Sequence, residues 1–422
     1  MCLALACVPQ IAAAETVVAA SPNDQTIDSF YSARGGQPLW LASGGNEAQI
    51  LMDLLASVEA DGLSPDHVRL RALDHALRNL SYGNHREILY ADRLLSEAFV
   101  DYVRDVRQSK SVEMIWVDAE LRPSAHFPRR LLDEAAAAPS LEAYLAGMRW
   151  MNPIYAGLRQ ALANAPDGDR NLLALNLERA RALPAAHGRY IIVNASAAQL
   201  TMYDDGQAVD TMRVVVGKPI HPTPVMAALI RYASLQPYWN VPPDLAAERI
   251  APNVLKDGKA YLKAKGYQTL SSWEDDAIVV SPDSVDWAAV AAGKQEVRIR
   301  QLPGPSNAMG KMKFMFPNVQ GIYLHDTPYK NLLGEETRMF SGGCVRLEDA
   351  ARLARWLFDG ELPSTKSARP EQRVDLPTPV PVFLTYLTAV PSDGGFAYLP
   401  DVYNRDQAAM AALAPARAIA SR

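Results

Sequence analysis

The sequence is short of several things. Cysteine occurs 3 times in 422 residues, and two of these, Cys2 and Cys7, fall within residues 1–14. Cys344 is the thiol that remains beyond them, and a lone thiol cannot close an internal disulfide. Positive charge is not in excess, since Lys+Arg 42 against Asp+Glu 47 leaves a net charge of −5. A polyanion such as nucleic acid therefore has no global electrostatic support, and none is expected as a partner. No uninterrupted apolar run reaches the ~20 residues of a membrane-spanning helix, so no transmembrane segment is expected. CxxC and HExxH are both absent, and one Cys with one His offers too few ligands for zinc, so no metal is expected. There is no internal repeat and no low-complexity tract. The chain is 49% hydrophobic, enough for large cores, and its length points to two or three domains.

Residues 1–14, MCLALACVPQIAAA, are an apolar run ending in Ala12-Ala13-Ala14. That A-x-A pattern suits signal-peptide cleavage, so export is expected even though a positive n-region is missing. Ala4-Leu5-Ala6 before Cys7 is a poor lipidation signal, and anchoring through Cys7 is not expected. An exported protein meets oxidising conditions. A single leftover cysteine there is either accidental or a working thiol.

Residues 24–185 read as an all-α layer of five to seven helices. Ile50, Leu51, Leu54, Leu55 and Val58 recur at three-to-four spacing, and Gly62 stops the run. Leu94, Leu95, Phe99, Tyr102, Val103 and Val106 repeat the pattern, as do Leu141, Tyr144, Leu145 and Met148. Near Arg189 the period becomes two. Tyr190 to Val193 and Leu200 to Tyr203 are strand-like, with Asp205-Gly206 as a hairpin signal. Thr211 to Gly217 and Met226 to Tyr232 continue the β pattern, and Val380 to Leu387 is a last strand. Between them, about residues 241–300 read as a helix-bearing insertion. The expected fold class is α+β: an N-terminal helical domain, a mainly-β domain over 186–390, and a tail over 391–422 ending in an Ala-rich helix.

Two segments carry chemistry. One is Tyr323-Leu324-His325-Asp326-Thr327-Pro328, with a histidine at a strand end. The other is Ser341-Gly342-Gly343-Cys344-Val345-Arg346, followed by a helix from about Glu348 to Phe358. A thiol nucleophile needs a nearby base or cation, free backbone N–H groups for an oxyanion, and access for substrate. The glycines leave the backbone uncovered beside the sulfur, so the Gly343 and Cys344 N–H groups are candidate oxyanion donors. A turn just ahead of a helix favours negative charge, and His325 is the natural base. Each feature also has a plain structural reading, a tight turn for SGGC and a buried histidine for His325.

At these residues the sequence resembles the large, capped L,D-transpeptidases of bacterial cell walls, with a YkuD-type catalytic domain. The family's signature is a histidine followed about twenty residues on by S-x-G-C-[VI]-R. FYSARGGQPLW (30–40) resembles its helical domain, and YWNVPP (238–243) precedes its capping insertion. PGPSNAMG (303–310), KFMFPN (313–318) and DVY (401–403) also fit, so the resemblance spans about residues 28 to 406. It implies Cys344 as nucleophile and His325 as general base. Ser341 and Arg346 are implied supports of the cysteine loop, Arg346 through a carboxylate partner or a purely structural ion pair. Tyr323 and Trp239 are candidates to line the cleft, and Asp326 either tunes His325 or caps a turn. Many relatives carry His where Gly342 stands, which leaves no second imidazole here. Large members often insert a peptidoglycan-binding module in the helical domain, and residues 153–187 leave no room for one.

The resemblance implies a periplasmic enzyme of the Gram-negative envelope that cross-links peptidoglycan stem peptides through a cysteine thioester. The links are 3-3 or, in shorter members, 1-3; attachment of a wall lipoprotein is a third option. Carbapenem β-lactams are the implied covalent inhibitors, and no organic cofactor is implied. Two other classes use the same residues differently: a hydrolase that shortens stem peptides, and a non-catalytic wall-binding scaffold.

Overall fold

The computed structural model describes residues 26–420 apart from 43–44, 64–67, 81–83, 110–111, 124–127, 275 and 365–368, with side chains described to residue 413. The expected leader and Cys7 lie outside the described residues. The fold is α+β, a helical N-terminal layer set against a mainly-β domain. Eight α-helices make the layer among the described residues, rather than five to seven, because short helices such as Ile27–Ala33 and Leu141–Gly147 separate from their neighbours. Local chemistry sets their ends. Asn152 caps Pro153–Ala163 by accepting the Tyr155 N–H at 2.9 Å, with Pro153 in the first turn, where a missing N–H goes unnoticed. Gly62, at φ 66°, ends the 3₁₀ turn Val58–Asp61.

The longest helix, His85–Val106, buries Leu95, Phe99, Val103 and Val106 along one stripe, as three-to-four spacing requires. Its Asp92 is fully buried and accepts the Leu39, Trp40 and Leu41 N–H groups at 2.8 Å each, and the Tyr31 hydroxyl at 2.5 Å. The FYSARGGQPLW segment is thus pinned to the helix by one carboxylate whose charge is met by several donors. Only residues 164–166 separate Pro153–Ala163 from Asp167–Arg181, so no module is inserted between these two helices.

The β domain is a sheet that closes on itself. The circuit runs Met226–Leu235, Met312–Met315, Leu324–His325, Val345–Leu347, Gln207–Gly217, Gln199–Asp204, Arg189–Asn194, Gln372–Thr385 and back to Met226–Leu235. The hairpin at Asp205-Gly206 has both residues at positive φ (45° and 80°), the geometry that matches strand twist. Alternation along Arg189–Asn194 serves two cores. Ile191 and Val193 face the barrel interior, whereas Tyr190 and Ile192 join the core of the helical layer. A short strand from that layer, Ile115–Trp116, pairs in parallel with Met226–Ala227 and stitches the two parts together.

The insertion has its own core, built on Val241, Leu245, Ile250, Val254, Trp287 and Ile299. It is not helical alone. Its strands Trp239–Val241, Arg298–Gln301, Tyr267–Leu270 and Val279–Val280 form a separate antiparallel sheet, and its helices include a π-helical turn, Ala246–Ile250. The strand Arg298–Gln301 therefore belongs to this cap and not to the barrel. After the barrel, the hairpin Ala389–Ser392 and Gly395–Tyr398 precedes the helix Asp406–Ala420.

Candidate active site

Three neighbouring barrel strands fix the site. Lys313 lies opposite His325, and His325 opposite Arg346. These three side chains form one row on the wall that faces the cap. The next residues over, Phe314, Leu324 and Val345, form the matching row inside the barrel and are fully buried. Period two also carries Tyr323 and Cys344 to the cap side. A cavity of about 380 Å³ between wall and cap is lined by Cys344, His325, Arg346, Tyr323, Ser341 and Gly342 from the barrel. Trp239, Leu245 and Arg249 line it from the cap. A larger cavity of about 730 Å³ lies between the helical layer and the barrel, lined by Arg149, Gln199, Thr201 and Pro391 among others, and holds none of these residues.

Seven of the nine residues singled out in the sequence come together in the smaller cavity; Gly343 and Asp326 do not line it. The Asp326 carboxylate instead accepts the Lys311 N–H and the Lys330 ammonium, both at 2.9 Å. Its link to His325 is through the backbone, where the Asp326 carbonyl meets Nδ1 at 2.6 Å. A carbonyl only accepts, so Nδ1 carries the proton and Nε2 keeps its lone pair. His325 is 1% exposed. Burial first, then the Arg346 charge, lowers its pKa to about 3, so the imidazole is neutral at neutral pH.

The thiol is likewise neutral at rest. Cys344 is half-buried, and its Sγ donates to the Gly321 carbonyl at 3.5 Å. Burial pushes its pKa up, opposed by the Tyr323 backbone N–H and the charges of Arg346 and Lys313. Desolvation outweighs the cations. The helix-terminus argument is corrected. Cys344 runs into the strand Val345–Leu347, and the helix starts only at Ala350.

The loop is held by its own residues. Ser341, 1% exposed, donates its hydroxyl to the Cys344 carbonyl at 2.6 Å and accepts the Gly343 N–H at 3.1 Å. The Gly343 N–H is thus engaged, which corrects its reading as a free oxyanion donor. Neither the Cys344 nor the Gly342 N–H has a partner among the described residues. Gly343 takes φ +113°, a conformation other residues rarely adopt. Gly342 is exposed, and a Cβ there would stand 3.0 Å from Leu245 Cδ1 of the cap.

Charge in the cavity is mostly positive. Lys313 pairs with Glu371 at 3.0 Å and stands 5.9 Å from the Tyr323 ring centroid. Arg346 lies 6.0 Å from the Tyr329 ring centroid and, against expectation, has no carboxylate partner among the described residues. Its pKa is lowered by burial and then by Arg249. Arg249 comes from the π-helical turn and reaches the Phe340 carbonyl at 3.5 Å. Beside it Glu248 meets His221 Nε2 at 3.0 Å, a second point where the cap touches the barrel. Trp239 packs at 6.3 Å against Tyr267 within the cap. Arg249, Lys313 and Glu371 escaped the sequence reading. The parity of Lys313 with Phe314 was the available signal for one; the other two reach the site only through tertiary packing. Among the described residues no group of three or more His, Cys, Asp or Glu gathers as a metal site would need. No helix among them is long and apolar enough to cross a membrane.

The closed barrel thus presents Cys344 and His325 in one cavity under the cap, and comparisons with known proteins give the family of the fold that carries it. Residues 188–382 match the YkuD family, described as an L,D-transpeptidase catalytic domain, and residues 25–162 match a family described as a scaffold domain. The chain is 30% identical over 397 residues to a Haemophilus influenzae protein named provisionally as an L,D-transpeptidase, covering 90% of this chain and 77% of that one. It therefore belongs to the L,D-transpeptidase family. Solved structures it resembles include an L,D-transpeptidase from Mycobacterium smegmatis, at 13% identity and TM-score 0.24, covering 47% of this chain and 58% of that one. Another is an LD transpeptidase in complex with imipenem, at 15% identity and TM-score 0.23, covering 47% and 59%.

Proposed function

We propose that this protein is an exported, periplasmic cysteine acyltransferase that cross-links peptidoglycan stem peptides. The observation that carries the reading is that Cys344 and His325 open into one cavity roofed by the cap. The Cys344 sulfur attacks the carbonyl carbon of an L-centre in a donor stem peptide, and its proton passes to His325 Nε2. The carbonyl oxygen becomes an oxyanion facing the Cys344 N–H. Collapse breaks the peptide bond; the leaving amine takes the proton from His325, and a thioester remains. An acceptor amine then attacks the thioester and gives its proton to the imidazole. The new amide forms as the thiol departs and is reprotonated.

Two features support transfer over hydrolysis and an anionic substrate over a neutral one. Trp239, Leu245 and Arg249 line the same cavity as Cys344 from the cap side, an arrangement suited to limiting competing water. Arg249 and Arg346, without carboxylate partners among the described residues, suit the carboxylates of stem peptides. A 3-3 register is the first choice and a 1-3 register the second. Mass analysis of products from defined muropeptides tests the reading: cross-linked dimers are expected from wild type and not from Cys344→Ala. Shortened monomers alone mean a hydrolase. Carbapenem adducts on Cys344, lost in Cys344→Ala, are expected too, and their absence together with unchanged wall binding by the variant means a non-catalytic scaffold.

A further inference from the structure

The Cys344 N–H is a useful oxyanion donor only if it points at the cavity, and Gly343 gives the loop little stiffness of its own. The aim is set from outside the motif. Thr223, 1% exposed, donates its hydroxyl to the Gly343 carbonyl at 2.8 Å. That carbonyl and the Cys344 N–H belong to one planar peptide unit. No cis peptide bond occurs in the described chain, and in a trans unit C=O and N–H point in opposite directions. Holding the carbonyl against Thr223 therefore turns the Cys344 N–H the other way, toward the side where Cys344 lines the cavity and Gly343 does not. The same hydrogen bond polarises the unit and strengthens the N–H as a donor.

Thr223 is itself braced. Its oxygen accepts the Gly217 N–H at 2.9 Å, and its own N–H reaches the Tyr403 hydroxyl at 3.3 Å. Tyr403 in turn donates to the Gly217 carbonyl at 2.8 Å. The turn from Gly217 to Thr223 is closed so tightly that a Cβ on Gly217 would sit 2.6 Å from the Thr223 nitrogen. Tyr403 is fixed from behind: its N–H bonds the Tyr386 hydroxyl at 2.8 Å, and that hydroxyl donates to Asp401 at 2.6 Å. The two rings stack at 5.2 Å.

We propose that Thr223, braced by Tyr403, is a positioning residue that aims and polarises the Cys344 N–H as the oxyanion donor of acyl transfer. The inference rests on the reading of Cys344 as an acylated nucleophile. Two electrophiles separate the roles in the full chain. Iodoacetamide alkylates a thiol by displacement at carbon and develops no oxyanion, whereas a carbapenem is opened by attack on a carbonyl and does. In Thr223→Val, carbapenem acylation is expected to slow by about 10-fold or more, short of the 10²–10³ for deleting an oxyanion donor outright. Alkylation of Cys344 should stay within about 2-fold, since the aimed N–H plays no part in a displacement without an oxyanion. Thr223→Ser, which keeps the hydroxyl, should restore acylation, and Tyr403→Phe should show a weaker form of the same split. Equal slowing of both reactions would reduce Thr223 to general support of the loop and overturn the inference. So would unchanged acylation in Thr223→Val, or a Ser variant as slow as Val. Wild type that is alkylated but never acylated would instead sink the acyl-enzyme reading beneath it.

Discussion

Replacing His325 by Asn tests whether the site holds an uncharged imidazole. Asn offers an amide N–H for the Asp326 carbonyl but cannot titrate. In the unfolded chain a histidine takes a proton near pH 6.5, whereas burial and Arg346 hold His325 down to about 3 in the folded protein. The unfolded state therefore binds the proton first as pH falls. His325 leaves stability untouched well above 6.5, erodes it as pH drops through 6.5, and goes on eroding it to about 3. Linkage over that window gives a loss of about 2 kcal/mol by pH 5 relative to pH 7.5. Urea unfolding of wild type and His325→Asn at both pH values isolates this contribution, because every other group cancels in the difference. Wild type is expected to lose about 2 kcal/mol more than the variant across the interval, whatever the variant's stability at pH 7.5. Equal losses would show that the folded site accepts the proton as readily as the unfolded chain, and the neutral pair would have to be abandoned.

Gly310→Ala puts a Cβ 2.6 Å from the Asp326 Cβ at φ +62°. A loss of about 2–4 kcal/mol is expected by thermal unfolding, with slower acylation, because the carbonyl of Asp326 orients His325. Gly342→Ala meets only the flexible end of Leu245 at 3.0 Å and should cost less than about 1 kcal/mol. By lifting the cap it should raise the share of hydrolysed over cross-linked muropeptides in product analysis. Asp92→Asn removes the charge that receives three backbone N–H groups. It is expected to destabilise the helical layer by about 3 kcal/mol, seen in thermal unfolding, while iodoacetamide reactivity of Cys344 stays the same.

What the sequence disclosed was local. A histidine at a strand end and a cysteine behind two glycines were legible, whereas the strand Val345–Leu347 that sets Arg346 beside His325 appears only in the structure. The change of period near Arg189 marked the start of the barrel, where the first strand begins. Contacts across long stretches of chain stayed hidden. Nothing in Gln372–Thr385 announces that it closes the barrel against Met226–Leu235, and nothing around Thr223 hints at a bond to Gly343. The protonation of the thiol was not legible for a related reason: burial, which outweighs the cations near Cys344, is a property of the folded chain.

The reactive row and the roof above it are anchored in different ways. Lys313, His325 and Arg346 are backed by barrel residues that would be thrown into the cleft by a one-residue slip of any of the three strands, so this wall has almost no latitude for change. The roof is seated on a hydrophobic centre of its own. Residues of the roof can therefore change around that centre without disturbing the wall beneath.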